Sequence, residues 1–396
     1  MSALTAFKNK FMLDSYPYPI ARVGVIGGGQ LGRMLVMAAH RLGCEVVVLD
    51  PYLNSPAGQL AGHQIVGNYH DPARLRELVE STTVTTFEIE DIDTDTLIAL
   101  EDEGHKIFPS PRLLAEIQDK YRQKQLFARN GIPTSDFIDM PEPDPAAFEA
   151  FGYPLVQKTR RGGYDGRGVA VMKSAADFDN CLKAPGLVER FVQASKELAV
   201  MVARGQDGDV RCYPVVEMEF SSGENILDRL LVPARIDDAT TEAAQALAVR
   251  TVEAIDGIGI FGVELFLTDA GELLVNEIAP RTHNSGHYTI EASVTDQFEQ
   301  HLRTVTNLPL GATDLLQPAV MLNLLGEPGY TGRPVIQGLA DSLKVPGVAV
   351  QLYGKAETKP HRKMGHITVT APTLELANER ASAVSQTIKI VGEQPL

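Results

Sequence analysis

Phe261-Gly262-Val263-Glu264-Leu265-Phe266-Leu267-Thr268, Asp269-Ala270-Gly271-Glu272 and Leu273-Leu274-Val275-Asn276-Glu277 read together as a β-hairpin. Two apolar runs flank a turn sequence that carries glycine where a positive φ is needed. A two-residue loop of Ala270 and Gly271 pairs residue 269 with 272, 268 with 273 and, further along, Glu264 with Glu277. The two carboxylates then face each other on one side of the sheet, roughly 5 Å apart at Cβ. Such a pair repels and calls for a cation between its members. Oxygen ligands on a rigid hairpin suit Mg²⁺, which takes one or two carboxylates plus substrate phosphates. A loop of odd length would offset the two glutamates. Beyond the hairpin the chain runs Ile278-Ala279-Pro280-Arg281-Thr282-His283-Asn284-Ser285-Gly286-His287. A packed core has no use for so many polar groups directly after a strand, and a solvated loop is the plain alternative.

Working outward, Thr240–Asp256 has the apolar spacing of an amphipathic helix, with Ala244, Leu247, Ala248, Thr251 and Ile255 on one face. Strand patterns precede it at 198–203, 213–220 and 227–232, and Leu187–Val192 is an apolar strand with Glu197 just beyond it. Tyr153–Lys158 and Val169–Met172 enclose Thr159-Arg160-Arg161-Gly162-Gly163-Tyr164-Asp165-Gly166-Arg167-Gly168. This is no Walker A loop, yet its chemistry suits phosphate: glycines let backbone N–H groups approach an anion and flanking cations neutralise it. Such a loop is expected to be mobile until ligand arrives. Ser110-Pro111 starts a helix that Gly131 stops, with Asp119-Lys120 in its middle. Pro133–Pro145 is proline-rich and acidic and reads as a linker or edge strand.

At the N-terminal end, Arg22–Ile26 is a buried-strand pattern followed by Gly27-Gly28-Gly29-Gln30-Leu31-Gly32 and a helix over 33–42. Glu45–Asp50 is a second strand ending in an acidic residue, as in a dinucleotide-binding fold. On these residues alone NAD binding and a nucleotide-free doubly wound domain both stand. Alternating β and α elements through Phe108 make this domain an open parallel sheet. At the other end, strands are expected at 319–325, 348–353 and 366–370, with a helix over 294–306 and a last one over 374–390. Gly354–Lys363 is a basic loop, read as solvated or as a phosphate-binding rim.

The chain has 396 residues, 44% of them hydrophobic and 22% charged, which suits a globular protein of two or three domains. Its formal net charge of −15 argues against a nucleic-acid-coating surface. No run is long and apolar enough for a membrane span, and residues 1–21 read as an extension without a secretory signal. Cys44, Cys181 and Cys212 are scattered, indicating neither a disulfide framework nor a zinc site. A cytoplasmic location is expected.

The order of doubly wound domain, lysine-led Gly-rich hairpin, apolar strand with glutamate and paired glutamates resembles the ATP-grasp superfamily. Three motifs, at 27–35, 162–168 and 276–287, resemble the N5-carboxyaminoimidazole ribonucleotide synthetase family of purine biosynthesis. The resemblance implies an ATP-grasp fold of mixed α/β and α+β class. Its parts would be a doubly wound domain over 22–118, an ATP-grasp domain over 119–306 with a mobile lid at about 134–205, and a β-rich subdomain over 307–396. It implies ATP-dependent carboxylation of 5-aminoimidazole ribonucleotide by bicarbonate through carboxyphosphate, with Mg²⁺ or Mn²⁺, in a homodimer. No NAD, nucleic-acid or membrane partner is implied, and no fused mutase domain.

Residue by residue, the resemblance makes Lys120 and Lys158 ATP-phosphate ligands and Gly162, Gly163, Tyr164, Asp165, Gly166, Arg167 and Gly168 the lid loop. Glu189, Arg190, Phe191 and Val192 become the adenine hinge and Glu197 the ribose ligand. Glu264 and Glu277 hold the metal, with Asn276 beside them. Tyr164, Arg167, Arg281, His283, Asn284 and Ser285 surround bicarbonate and the imidazole. Gly29, Gln30 and Leu31 meet the ribonucleotide, whose phosphate falls to Lys355, Arg362 and Lys363. Departures from the family pattern occur at Phe87–Ile92 and at Glu217–Phe220. Competing readings are another ATP-grasp carboxylate–amine ligase, an NAD-dependent oxidoreductase and a non-catalytic nucleotide sensor.

Overall fold

The computed structural model describes residues 16–163, 168–220 and 227–395. Tyr164, Asp165, Gly166 and Arg167 of the expected lid loop, and residues 1–15 of the expected extension, lie outside the described residues.

The N-terminal sheet is built from β1 (Arg22–Ile26), β2 (Glu45–Asp50), β3 (His63–Val66) and β4 (Val84–Phe87), all parallel, in the order β3-β2-β1-β4. Helix α1 (Gln30–Arg41) begins three residues earlier than its apolar pattern suggests. Helices α2 (Pro72–Glu80) and α3 (Thr94–Asp102) are capped by Asp71 and Asp93, whose carboxylates accept first-turn amides.

The single helix expected after Ser110 is two, α4 (Pro111–Ile117) and α5 (Lys120–Arg129). Asp119 breaks it by turning its carboxylate onto the amides of Tyr121 and Arg122. Lys120 therefore opens a helix instead of lying inside one.

A second sheet comprises β5 (Phe137–Met140), β6 (Leu155–Thr159), β7 (Val169–Met172) and β8 (Gly186–Arg190) in the order β5-β8-β6-β7, with helix α6 (Pro145–Phe151) between β5 and β6. The proline-rich stretch is thus an edge strand.

The largest sheet begins with β9 (Ala194–Arg204), β10 (Val210–Cys212), β11 (Val216–Phe220) and β12 (Leu227–Val232). Helix α7 (Asp238–Ala254) leads into β13 (Gly259–Thr268) and β14 (Leu273–Ala279). Short α8 (Thr289–Ala292) and then α9 (Gln297–Val305) follow; α9 starts late because Asp296 caps it. β15 (Ala319–Leu325), β16 (Tyr330–Gln337), α10 (Leu339–Ser342), β17 (Val348–Leu352), β18 (Lys363–Thr370), α11 (Leu374–Thr387) and β19 (Lys389–Pro395) complete the described chain. The sheet path is β14-β13-β9-β11-β12-β15-β18-β17, so the late strands hydrogen-bond onto the earlier ones as one surface. The helix expected to reach residue 390 stops at Thr387, and β19 pairs antiparallel with β16.

One face of this sheet packs Leu198, Val200, Phe261, Val263 and Val275 against Ala244, Leu247, Ala248 and Val252 of α7 and Phe127 of α5. Fully burying Phe127 and Phe261 contributes roughly 1.5–3 kcal/mol each. Phe298, Leu302 and Val305 of α9 join Leu31, Met34 and Leu35 of α1 in a second core that fixes the N-terminal sheet beside the large one. Among the described residues no helix is long and apolar enough to cross a membrane.

Candidate active site

The hairpin departs from expectation in its turn and reaches the expected pairing by another route. Thr268 N–H donates to Glu272 O and Gly271 N–H to Thr268 O, so the loop is the three residues Asp269–Gly271, with Gly271 at φ 81°. From Leu267↔Leu273 to Leu265↔Val275 the register is one residue off the two-residue-loop register. A β-bulge between Leu265 and Glu264 absorbs Asn276 as an extra residue and restores Glu264↔Glu277. Without it, Glu277 would turn to the opposite face. The bulge also brings Asn276 into the cluster: its Nδ2 lies 3.4 Å from Glu264 Oε2 and its Oδ1 accepts from Lys158 Nζ at 3.0 Å.

Charge around the pair is divided. Lys120 Nζ donates to Glu277 Oε2 at 2.6 Å and holds that carboxyl below its usual range. Burial works against charge on Lys120, but Glu277 outweighs it and the ammonium is held above its usual range. Glu264 is pushed the other way, by burial and then by the charges of Glu277 and Glu197. Two carboxylates and an amide oxygen on one rigid hairpin fit Mg²⁺, which completes its shell with phosphates and water. Among the described residues no three His, Cys, Asp or Glu side chains gather as a metal cluster, so protein ligands alone would not complete the site.

Lys158, on β6, joins the second sheet to the hairpin: beside its bond to Asn276 it lies 3.1 Å from Glu189 Oε1. Despite burial, Lys158 and Lys124 hold the Glu189 carboxyl at about 2. The Glu189 side chain is 4% exposed and engaged by lysines and Ser135. The Arg190 guanidinium turns away, donating to the carbonyls of Gly152 and Phe151 over the Phe151 ring. Only their backbones, with half-buried Phe191 and Val192, could face a nucleotide base. Glu197 lies on β9 opposite Phe266, and burial raises its carboxyl. Of the loop cations, Arg160 is taken by Asp119 at 2.8 Å. Gly162, Gly163 and Gly168 flank the undescribed loop residues.

The segment after β14 is clamped from beneath. Gln297, fully buried, accepts from His283 N–H through Oε1 and donates through Nε2 to His283 O. The His283 ring packs on Gly262, where a Cβ would come within 2.8 Å of His283 Cβ. Its Nδ1 meets Ser285 Oγ at 2.9 Å and its Nε2 is 3.6 Å from Glu264 Oε1. Arg281 pairs with Glu90 at 2.8 Å, which accounts for one departure from the family pattern. Asn284 Nδ2 and Arg281 Nε are buried donors without acceptors among the described residues, the provision an oxyanion would use. The other departure is structural: Glu217 is buried and bound by Lys196 at 2.7 Å and Arg235 at 2.6 Å.

The glycine loop before α1 is already filled with carboxylates. Gly28 N–H donates to Asp50 Oδ2 at 2.8 Å and Gly29 N–H to Glu88 Oε1 at 2.6 Å, while Tyr69 OH also donates to Asp50. Side chains at 28 or 29 would strike Ser55 or Glu88. A dinucleotide pyrophosphate would have to displace these carboxylates, which answers the NAD reading. Burial pushes Glu88 up to about 7, with the Gly29 amide and the charges of Arg281 and Lys355 pulling back. Leu31 is buried in the core and Gln30 half-exposed at the helix start. Lys355 Nζ donates to Lys363 O at 2.7 Å, and Arg362 to Glu357 O at 2.8 Å.

Gln297 and Lys124 escaped the sequence reading, whereas Glu88 and Glu90 entered it only within the departure at Phe87–Ile92. The Phe87-Glu88 dipeptide at the end of β4 is the signal for Glu88. Nothing local marks Lys124, which reads as an ordinary helix-surface lysine, or Gln297.

Three family models match the chain: the ribonucleotide synthetase preATP-grasp domain over residues 20–118, the ATP-grasp domain over 125–298, and the phosphoribosylaminoimidazole carboxylase C-terminal domain over 319–380. An N5-carboxyaminoimidazole ribonucleotide synthase from Synechococcus elongatus is 41% identical over 382 residues, 93% of this chain and 95% of that protein. The chain spans about two thirds of the length of fungal relatives named phosphoribosylaminoimidazole carboxylase, 69% for that of Ogataea methanolica. Among solved structures, N5-carboxyaminoimidazole ribonucleotide synthetase from Thermotoga maritima is 49% identical with TM-score 0.89, covering 94% of this chain and 100% of that one. The Aspergillus clavatus synthase in complex with ADP and 5-aminoimidazole ribonucleotide is 38% identical with TM-score 0.85, covering 92% and 98%.

Proposed function

The chain belongs to the N5-carboxyaminoimidazole ribonucleotide synthetase family of ATP-grasp ligases, and from that premise we propose how its residues carry the reaction. It is an ATP-dependent enzyme of purine biosynthesis that carboxylates 5-aminoimidazole ribonucleotide with bicarbonate, giving ADP and phosphate. The observation that carries the assignment is the cluster of Glu264, Asn276, Glu277, Lys120 and Lys158 on one hairpin face, continuous in sequence with Arg281–Ser285.

Glu264 and Glu277 would hold Mg²⁺, which when bound neutralises phosphate charge. Lys120 and Lys158 meet the remaining phosphate charge, with the backbone of 189–192 and Glu197 at adenine and ribose. A bicarbonate oxygen attacks the γ-phosphorus, the bond to the β-phosphate oxygen breaks, and ADP leaves. Such a transfer spreads charge over oxygens, so positioning and electrostatics supply the rate. Arg281 and Asn284 supply donors to the carboxylate oxygens of the carboxyphosphate so formed. The substrate amine then attacks its carbon, phosphate departs and the amine loses a proton. Lys355, Arg362 and Lys363 bind the ribonucleotide's phosphate, and Glu88, which accepts from Gly29 N–H and feels the charges of Arg281 and Lys355, lines the same site. Free cysteines suit a reducing cytoplasm. Exposed Val294 and Leu316, on two hydrogen-bonded segments, offer apolar surface for a homodimer, which sedimentation would test.

Glu277→Gln is expected to abolish phosphate release while thermal unfolding stays within a few degrees of wild type. Near-normal phosphate release in that variant refutes the metal and phosphate assignment.

A further inference from the structure

Lys124 has 2% of its side chain exposed and touches no substrate in the scheme above. Two of its N–H bonds go to Thr134 Oγ1 at 2.6 Å and Ser135 Oγ at 3.1 Å, and the ammonium lies 3.1 Å from Glu189 Oε2 in an ion pair. Thr134 Oγ1 in turn donates to Val275 O at 2.6 Å, and Ser135 Oγ to Glu189 Oε2 at 2.7 Å. Helix α5, strand β8 and hairpin strand β14 thus meet at one ammonium. An ion buried so completely is costly to the fold unless its pairing is complete.

Lys158 pairs with the same carboxylate at the same 3.1 Å, but its side chain is 11% exposed against 2% for Lys124. It lies 3.1 Å from Glu189 Oε1, an oxygen with no aligned hydrogen bond among the described residues, and its bond to Asn276 points it toward the metal pair. To engage a nucleotide phosphate, Lys158 must leave Glu189. A buried carboxylate that loses its counter-ion is strongly destabilised, and that would keep Lys158 in place. Lys124 and Ser135 occupy the other oxygen and have no need to move.

We propose that Lys124 is a positioning residue: by staying paired with Glu189 it frees Lys158 to move onto the ATP phosphates. This rests on the reading of Lys158 as a phosphate ligand. Lys124 itself lacks the exposure to be a ligand.

The test is calorimetric titration of a non-hydrolysable ATP analogue with Mg²⁺ into K124M, E189Q, K124M/E189Q and K158A, each checked by a thermal melt. K124M should bind the analogue about tenfold more weakly, equivalent to ~1.4 kcal/mol, with KM for the ribonucleotide unchanged. Removing the carboxylate should make Lys124 dispensable, so the double variant should bind as tightly as E189Q alone. A merely structural lysine predicts a further loss instead. Wild-type affinity in K124M, or a double variant weaker than E189Q, overturns the proposal. If K124M does not fold, the comparison of E189Q with the double variant decides, and failure of that double variant to fold also overturns it. Wild-type affinity in K158A refutes the phosphate reading of Lys158, whereas a weakened K158A beside an unaffected K124M refutes the role of Lys124 alone.

Discussion

Replacing His301 with asparagine tests how the N-terminal sheet is joined to the large one, and the size of the effect follows from the geometry. The ring is fully buried; Ile260 N–H donates to Nδ1 at 3.2 Å, which leaves the proton on Nε2 to donate to Thr86 Oγ1 at 2.7 Å. A second proton would sit on Nδ1 and oppose the Ile260 N–H. Burial accordingly pulls the imidazole from 6.5 down to about 3. The folded protein therefore stays unprotonated where the unfolded chain takes up a proton. This stability is full above pH 6.5 and is lost as pH falls through the interval from 6.5 to about 3. At ~1.4 kcal/mol per pH unit, the loss between pH 7 and pH 5 is about 2 kcal/mol. Urea unfolding followed by circular dichroism measures it, since the chain has no tryptophan for fluorescence. His301→Asn should be roughly 1–3 kcal/mol less stable at pH 7, from the lost or strained hydrogen bonds. It should then lose about 2 kcal/mol less than wild type on going to pH 5. Equal losses in the two proteins would show that His301 is not held neutral, and the account of this joint would fall.

Lys355→Ala and Arg362→Ala should each raise KM for 5-aminoimidazole ribonucleotide about 10–100-fold, the value of a charged hydrogen bond, and leave KM for ATP nearly unchanged. Steady-state kinetics with each substrate varied in turn checks this, and equal effects on both substrates would dismiss the phosphate rim. Gly271→Ala should cost about 1 kcal/mol through its positive φ alone, since a Cβ there meets nothing within 4 Å. Its melting temperature should fall while kcat and both KM values hold; a loss of activity would mean that the turn does more than close the hairpin.

Much of the site could be read locally because its chemistry lies in short runs. Glu264 and Glu277 stand thirteen residues apart around a turn that names itself by Asp269 and Gly271. The glycine loops and the polar string 281–287 are equally compact. The turn's parity was not legible, because two-residue and three-residue loops both accept glycine in that place. The bulge at Asn276 repaired the register, so the expected pair stood although the expected loop did not.

Other features depend on partners far along the chain. Asp119 reads as a helix-surface residue until Arg160 is seen to bind it and its own carboxylate to cap α5. The Gly28 and Gly29 amides look vacant in sequence and are filled by Asp50 and by Glu88, 59 residues from Gly29. Strand β19 passes for the end of a helix because its apolar residues Ile390 and Val391 gain a partner only when β16 arrives.

The sequence by itself determined the parallel N-terminal sheet, the β6–β7 hairpin, the hairpin that carries Glu264 and Glu277 and, through its motifs, the family. Each follows from the spacing of apolar residues, glycines and charges within about thirty positions. Tertiary structure alone decided which face Glu277 takes, which lysine is buried and which exposed to ligand, and what fills the glycine loop. Those outcomes turn on hydrogen bonds and desolvation between segments that meet only after folding, and hydrophobic periodicity carries no record of them.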